Sequence, residues 1–175
     1  IRGHAYKPLT FPYRSKMYKE SKSSGMDIMD EIKKEFSLKV VTEVTEIRYL
    51  DRITQTADIL QIGSRNMQNL ELLKEVSNTK FPIILKRHFG ASLRDFLGAA
   101  EHILVDGNQN LILCERGVSM PHTHRSTSRF ALDIQAIPAL KEITKFPIIS
   151  DPSHASFWAP WVPPLTYASI AAGCD

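Results

Sequence analysis

An α/β fold wound around a parallel sheet is predicted by three observations. Five short apolar runs recur along the chain, most of them end in charge, and helical stripes fill the intervals between them. The runs are Val40-Val41-Thr42-Glu43, Ile59-Leu60-Gln61-Ile62-Gly63-Ser64-Arg65, Ile83-Ile84-Leu85-Lys86-Arg87, Leu111-Ile112-Leu113-Cys114-Glu115-Arg116 and Ile148-Ile149-Ser150-Asp151-Pro152-Ser153-His154. Runs of this length without polar alternation are buried on both faces, as the strands of a parallel sheet are. Strand and helix alternating every 20–35 residues or so make consecutive βαβ units. Charge gathered at the carboxyl ends of parallel strands is the layout of a (β/α)8 TIM barrel, whose ligands bind above those ends.

The elements follow in order. Ile1-Arg2-Gly3 reads as the end of a strand already under way, and Lys7 to Gly25 is a long connection containing Lys-Pro, Phe-Pro and a Lys/Ser-rich stretch. Met26, Met29, Ile32 and Phe36 recur at helical spacing before the strand at 40. Leu93, Phe96, Leu97, Ala100, Ile103 and Leu104 form a second stripe before the strand at 111. Gly117 to Ser128 is another long connection, carrying Pro121, His122, His124 and Arg125. Ile137, Leu140 and Ile143 mark a weaker helix, with Pro138 tolerable near its start. After the last strand Pro163 and Pro164 open a helix through Leu165, Ser169 and Ala172, and Gly173 caps it. Both long connections leave carboxyl ends of strands, where loops carry substrate contacts. A closed barrel takes about 250 residues, and this chain has 175. It reads as an internal fragment, a single partial domain over 1–175, with the first and eighth strands missing.

Composition narrows the classes. With 43% hydrophobic and 23% charged residues the chain is an ordinary globular one, and a net charge of +3 without a basic block argues against a nucleic-acid partner. No apolar stretch approaches a membrane span and no secretory signal is visible. Cys114 and Cys174 lie far apart with no Cys-x-x-Cys pairing, which fits reduced thiols and a cytoplasmic location.

The strand-end charges are mostly cations: Arg65, Lys86, Arg87 and Arg116. Guanidinium and ammonium groups recognise phosphate and carboxylate, so the expected ligand is a small phosphorylated molecule. A single cation at a strand end is more often a solvated rim charge, and a lone His154 after Asp-Pro-Ser reads as a loop histidine. Cys114, inside an apolar strand, reads as a core thiol. Glu115 and Arg116 alternate and must face opposite ways, so Glu115 belongs either to an internal ion pair or to catalysis. Asp151 orients the His154 loop or stands beside a metal. His122 and His124 resemble a metal pair but, lying in a long loop, read first as facing solvent or substrate, and Trp158 and Trp161 pack their loop rather than bind a base.

Six segments occur together in one order. Arg2-Gly3-His4-Ala5-Tyr6-Lys7-Pro8, Val40-Val41-Thr42-Glu43, Gln61-Ile62-Gly63-Ser64-Arg65-Asn66-Met67-Gln68-Asn69, Leu85-Lys86-Arg87, Leu113-Cys114-Glu115-Arg116-Gly117 and Asp151-Pro152-Ser153-His154 span nearly the whole chain. Together they resemble the type I 3-deoxy-D-arabino-heptulosonate 7-phosphate (DAHP) synthases, in the branch that includes the 3-deoxy-octulosonate 8-phosphate synthases. The Gly63-Ser64-Arg65-Asn66 segment leans toward the former. The resemblance implies a metal-dependent aldol-type condensation of phosphoenolpyruvate with erythrose 4-phosphate, the first step of the shikimate pathway to aromatic amino acids. By the same resemblance Arg65, Lys86 and Arg116 bind phosphoenolpyruvate, and Arg2 and Lys7 complete the anion cradle. Lys7 also donates a proton to the forming alkoxide, Glu43 lies near the attacking water, and His154 is a ligand of a divalent ion (Mn, Fe, Co or Zn). The family's cysteine ligand would precede Ile1, and its glutamate and aspartate ligands would follow Asp175. The implied partners are phosphoenolpyruvate, a phosphorylated aldose and further copies of the same chain.

Two segments depart from the family. Leu9-Thr10-Phe11 stands where Arg-Thr-Ser usually follows Lys-Pro, and Ala155-Ser156-Phe157-Trp158-Ala159-Pro160-Trp161 replaces a Gly-rich segment with an arginine. Both fall on the side of the second substrate. Either Arg125 or Arg129 supplies the missing charge or the aldehyde differs. A related synthase using another aldehyde, and a catalytically silent anion-binding fragment, are the competing readings.

Overall fold

A computed structural model describes residues 1–6, 22–121 and 130–175. Strand β1 (Arg2–Gly3) is followed by α1 (Lys22–Phe36), β2 (Val41–Glu43), α2 (Leu50–Thr54), β3 (Ile59–Ile62), α3 (Leu70–Asn78) and β4 (Ile83–Lys86). Then come α4 (Leu93–Leu104), β5 (Leu111–Glu115), β6 (Val118–Ser119), β7 (Phe130–Ala131), α5 (Ala136–Ile143), β8 (Ile148–Ser150), α6 (Pro152–Ser156) and α7 (Val162–Ala171). All five apolar runs and the end of Ile1-Arg2-Gly3 become strands of one six-stranded sheet, in the order β1-β2-β3-β4-β5-β8. Every pairing in that sheet is parallel. Sequential parallel strands with helical crossovers are how a βα-barrel is wound.

The register separates two faces, because partners across a parallel ladder point the same way. Glu43 pairs with Gln61, Gln61 with Ile84, Lys86 with Cys114 and Cys114 with Ile149. This set faces inward. The alternate set, including Leu60, Ile62, Ile83, Leu85, Leu113 and Ile148, is wholly buried against Leu72, Leu73 and Val76 of α3, Phe96 and Ile103 of α4, and Ile137 and Leu140 of α5. Such side chains each contribute about 1.5–3 kcal/mol when removed from water. Two apolar faces explain the absence of alternation in the runs.

Helix starts follow local chemistry. Ser92 and Asp95 close a capping box at α4, Asn69 accepts the Leu72 N–H at α3, and prolines sit in the first turn of α7. Ser77 Oγ donates to the Ile103 carbonyl at 2.6 Å, tying α3 to α4 inside the core. The short α2 and the nine-residue α3 have no counterpart in the stripes read from the sequence. In the Gly117–Ser128 connection, β6 and β7 form a short antiparallel ladder at its base. No helix among the described residues is long and apolar enough to cross a membrane.

Candidate active site

The carboxyl ends of β3, β4, β5 and β8 lie side by side, and each presents a named residue. Lys86 ends β4, Arg116 directly follows β5, Asp151 directly follows β8, and Arg65 sits in the helical turn Ser64–Asn66 just past β3. Lys86 and Arg116 are almost fully buried, whereas Arg65 is exposed at the rim.

Asp151 organises the group. Its Oδ2 accepts from Lys86 Nζ, lies 2.8 Å from His154 Nδ1 and stands 3.5 Å from an Arg2 guanidinium nitrogen. Its Oδ1 accepts the Ser153 hydroxyl at 2.7 Å and the His154 N–H at 3.2 Å, so the carboxylate also caps α6. Burial pushes this carboxyl up, but the His154 hydrogen bond and the Lys86 ammonium hold it well below the usual carboxylate range. Three expected site residues, Arg2, Lys86 and His154, therefore meet around one carboxylate. Below them a cavity of about 290 Å³ is lined by Arg2, Gln61, Ile84, Cys114 and Asp151 among others. Cys114 is buried there, and burial pushes its thiol up to about 12, which agrees with an inert core thiol.

Glu43, at the end of β2, lies two strands from Lys86. Its Oε2 is 3.5 Å from His4 Nδ1. A Cβ built on Gly63 would come within 2.0 Å of Glu43 Oε1, so the missing side chain at Gly63 makes room for the carboxylate. Arg116 lays its guanidinium 4.3 Å from the Phe130 ring centroid. His88, two residues beyond Lys86 on the same face, was not singled out from the sequence. Burial and then the Arg116 charge push its imidazole below the usual range. The alternation from Lys86 was the signal that could have found it.

Arg87 corrects the sequence reading that grouped it with the anion-facing cations. It points to the opposite face, where its guanidinium donates to Glu115 Oε2 at 3.0 Å and to Asp133 Oδ2 at 2.8 Å. Strand alternation dictates this, since Lys86 already faces inward. Glu115 is thereby assigned to an internal ion pair. Its carboxyl is pushed up by burial, against the opposing pull of the Gly117 N–H and Arg87.

The fit of a divalent metal can be tested on these residues. No group of three or more His, Cys, Asp or Glu side chains able to hold a metal ion occurs among the described residues. His154 offers one imidazole whose orientation is fixed by Asp151, the arrangement common behind metal-bound histidines. One donor does not make a site, so the described residues alone do not fit a complete metal centre. Lys7, Leu9, Thr10, Phe11, His122, His124, Arg125 and Arg129 lie outside the described residues.

Past His154 the chain makes an unusual turn. Phe157 caps α6 in the left-handed region, with φ of 52°. Its ring packs 5.8 Å from Phe130 and edge-on to His154 at 6.4 Å. A phenylalanine pays for that backbone conformation where glycine would not.

Comparison with known proteins agrees with this geometry. The model of the DAHP synthetase I family matches residues 1–175. The phospho-2-dehydro-3-deoxyheptonate aldolase of Thermotoga maritima is 39% identical over 173 residues, covering 99% of this chain and 49% of that protein. The 2-dehydro-3-deoxyphosphooctonate aldolase of Methylococcus capsulatus is 26% identical over 188 residues, covering 94% of this chain and 64% of that protein. The crystal structure of the Thermotoga maritima DAHP synthase superposes with a TM-score of 0.87 at 37% identity, covering 99% of this chain and 48% of that one. A truncated form of the same organism's enzyme gives 0.86 at 36% identity, covering 99% and 60%. This chain thus spans about half the length of its Thermotoga maritima relative, and its curled parallel sheet is part of a TIM barrel.

Proposed function

Because the chain belongs to the DAHP synthetase I family, we propose that it forms a single partial barrel domain of a 3-deoxy-7-phosphoheptulonate synthase condensing phosphoenolpyruvate with erythrose 4-phosphate. The observation that carries the reading is the row of strand ends: Lys86 and Arg116 buried on adjacent strands, with His154 held on Asp151 beside them. Buried cations at the mouth of a barrel stabilise an anion far better than rim charges do.

In this reaction the terminal methylene carbon, C3, of phosphoenolpyruvate bonds to the aldehyde carbon, and the aldehyde oxygen takes up a proton. Water adds at C2, the carbon that bears the phosphate, and gives up a proton as the C2–O bond to phosphate breaks, leaving a ketone and inorganic phosphate. Lys86, Arg116 and Arg65 hold phosphoenolpyruvate, and Arg2 adds charge from β1. Glu43 serves the water, and Lys7 serves the alkoxide. A divalent ion (Mn, Fe, Co or Zn), when bound, supplies Lewis acidity, and His154 is the donor this chain offers to it. The protein is taken to be cytoplasmic, consistent with two free cysteines, and, by the family resemblance, homo-oligomeric.

A second reading has its own observation. Phe157, packed against His154 and Phe130 in place of a Gly-rich segment, makes that side of the mouth apolar. It favours a related synthase with another aldehyde. The test is phosphate release by the full-length protein carrying this chain, with added manganese, phosphoenolpyruvate and a panel of aldoses. Turnover with erythrose 4-phosphate that falls at least about a hundredfold in Lys86→Met and Arg116→Met supports the first reading. Preference for another aldose supports the second, and no turnover with any aldose rejects both.

A further inference from the structure

We propose that Arg87 and Glu115, on the outward face of β4 and β5, are positioning residues that fix Lys86 and Arg116 for the phosphoenolpyruvate anion. The proposal rests on the anion-site reading above and deepens it. Each member of the pair is the chain neighbour of one anion-facing cation: Arg87 follows Lys86, and Glu115 precedes Arg116. A bond between the two outward side chains therefore clamps the strand ends directly behind the two inward ones.

Glu115 gathers more than one strand end. Its Oε2 accepts from Arg87 at 3.0 Å, and its Oε1 accepts the Gly117 N–H at 2.6 Å. Its backbone carbonyl accepts the Asp151 N–H at 2.8 Å. Arg87 in turn donates its backbone N–H to the Cys114 carbonyl at 3.0 Å and its Nε to the Ala91 carbonyl at 3.0 Å. Gly117, immediately after Arg116, has a φ of +99°, and a Cβ there would lie 3.0 Å from Ala155 Cβ and 3.1 Å from Phe130 Cβ. The turn carrying Arg116 is thus gripped by Glu115 on one side and pressed against α6, which bears His154, on the other.

Stability alone does not account for this pair. Burying two charges costs desolvation that their attraction barely offsets, and apolar pairs of similar volume are often as stable or more so. A buried, hydrogen-bonded pair instead specifies register. A shift of about 1 Å in a binding group can cost on the order of a hundredfold in rate.

The experiment uses the full-length protein and measures thermal unfolding, phosphoenolpyruvate affinity by calorimetry, and KM for each substrate. Arg87→Met with Glu115→Leu keeps an apolar filling of similar volume. Glu115→Gln keeps the shape and an acceptor for the Gly117 N–H while removing the charge that ties Arg87 to β5, and Arg87 keeps Asp133 as its counter-ion. Expected for both is native-like unfolding with phosphoenolpyruvate binding weakened roughly tenfold or more and the aldose KM unchanged. A folded Glu115→Gln protein with wild-type phosphoenolpyruvate affinity overturns the proposal, even if the double variant does not fold. Lys86→Met and Arg116→Met separate the two levels. If they weaken phosphoenolpyruvate binding and the outward variants do not, only the positioning role fails; if they do not weaken it, the anion site itself fails.

Discussion

Substituting Gly63 by alanine should leave the fold almost as stable as before while removing most of the activity. The backbone at Gly63, with φ −66° and ψ 153°, is open to any L residue. At such a position alanine ordinarily stabilises by about 0.4–1 kcal/mol, because it restricts the unfolded chain. Here the new Cβ would stand 2.0 Å from Glu43 Oε1 and 2.8 Å from its Cδ. Carbon and oxygen need about 3.2–3.4 Å, so the carboxylate must retreat by more than about 1 Å. It sits at the end of a flexible side chain, and turning it off its rotamer costs about 0.5–1.5 kcal/mol. Gain and cost nearly cancel, leaving a net change within about 1 kcal/mol. If Glu43 serves the attacking water as proposed, a displacement of about 1 Å costs on the order of a hundredfold in turnover. Thermal unfolding and initial rates of phosphate release, read on the same full-length protein, test both halves. The Glu43→Ala background supplies the control, because without the carboxylate Gly63→Ala should recover its ordinary stabilisation of about 0.4–1 kcal/mol. Near wild-type turnover in Gly63→Ala, or no recovery of stability in that background, would refute the idea that Glu43 is seated over Gly63.

Further expectations concern charge and thiol chemistry. Asp58 accepts the Val40 N–H at 2.8 Å and pairs with Lys33 and Lys39; burial opposes ionisation, but these contacts lower its carboxyl to about 2. A depressed carboxylate contributes stability above the unfolded value of about 3.9 and loses it as pH falls toward 2, so Asp58→Asn should cost about 1–2 kcal/mol at pH 7 and almost nothing near pH 2. Denaturant titrations at the two pH values decide it, and equal losses at both would count against the clamp. Asp151→Asn leaves the buried Lys86 without its carboxylate and should destabilise by about 3–5 kcal/mol; a loss below about 1 kcal/mol in chemical denaturation would mean that Lys86 is not held there. Iodoacetamide should label Cys174 in the native protein and reach Cys114 only after unfolding, as peptide mapping can show, because the Cys114 thiol is buried and pushed up to about 12.

The fold was largely legible because strand runs buried on two faces carry their own signature. Ile83-Ile84-Leu85 and Leu111-Ile112-Leu113 are apolar on inward and outward positions alike. The stripe from Leu93 to Leu104 became α4 because its buried side chains return every three or four residues. Three helices escaped for physical reasons, among them the five-residue α6, which follows directly on β8 and reads from the sequence as the His154 loop. The five-residue α2 is too short to display a period, and α3 buries Leu72, Leu73, Val76 and Ser77 along a stripe that polar Ser77 interrupts. Ser77 is nevertheless a core residue, since its hydroxyl is satisfied by the Ile103 carbonyl rather than by water.

At the site, residue identity was legible and facing was not uniformly so. Alternation separated Glu115 from Arg116 in advance, and the same rule applied one strand earlier separates Lys86 from Arg87. Applied there, it shows that a run of two cations at a strand end is one inward-facing charge and one charge that needs an acid behind the sheet. Glu115 and Asp133 are those acids. The partner of Lys86 could not be found this way, because Asp151 reaches it from β8, 65 residues away in sequence. Local pattern fixes which way a side chain points; closure of the sheet decides whom it meets. Thus Asp151, read from the sequence as orienting the His154 loop, also holds the ammonium of Lys86. An anion approaching Lys86 must therefore compete with a carboxylate already seated on it, which makes the Lys86–Asp151–His154 group a single electrostatic unit.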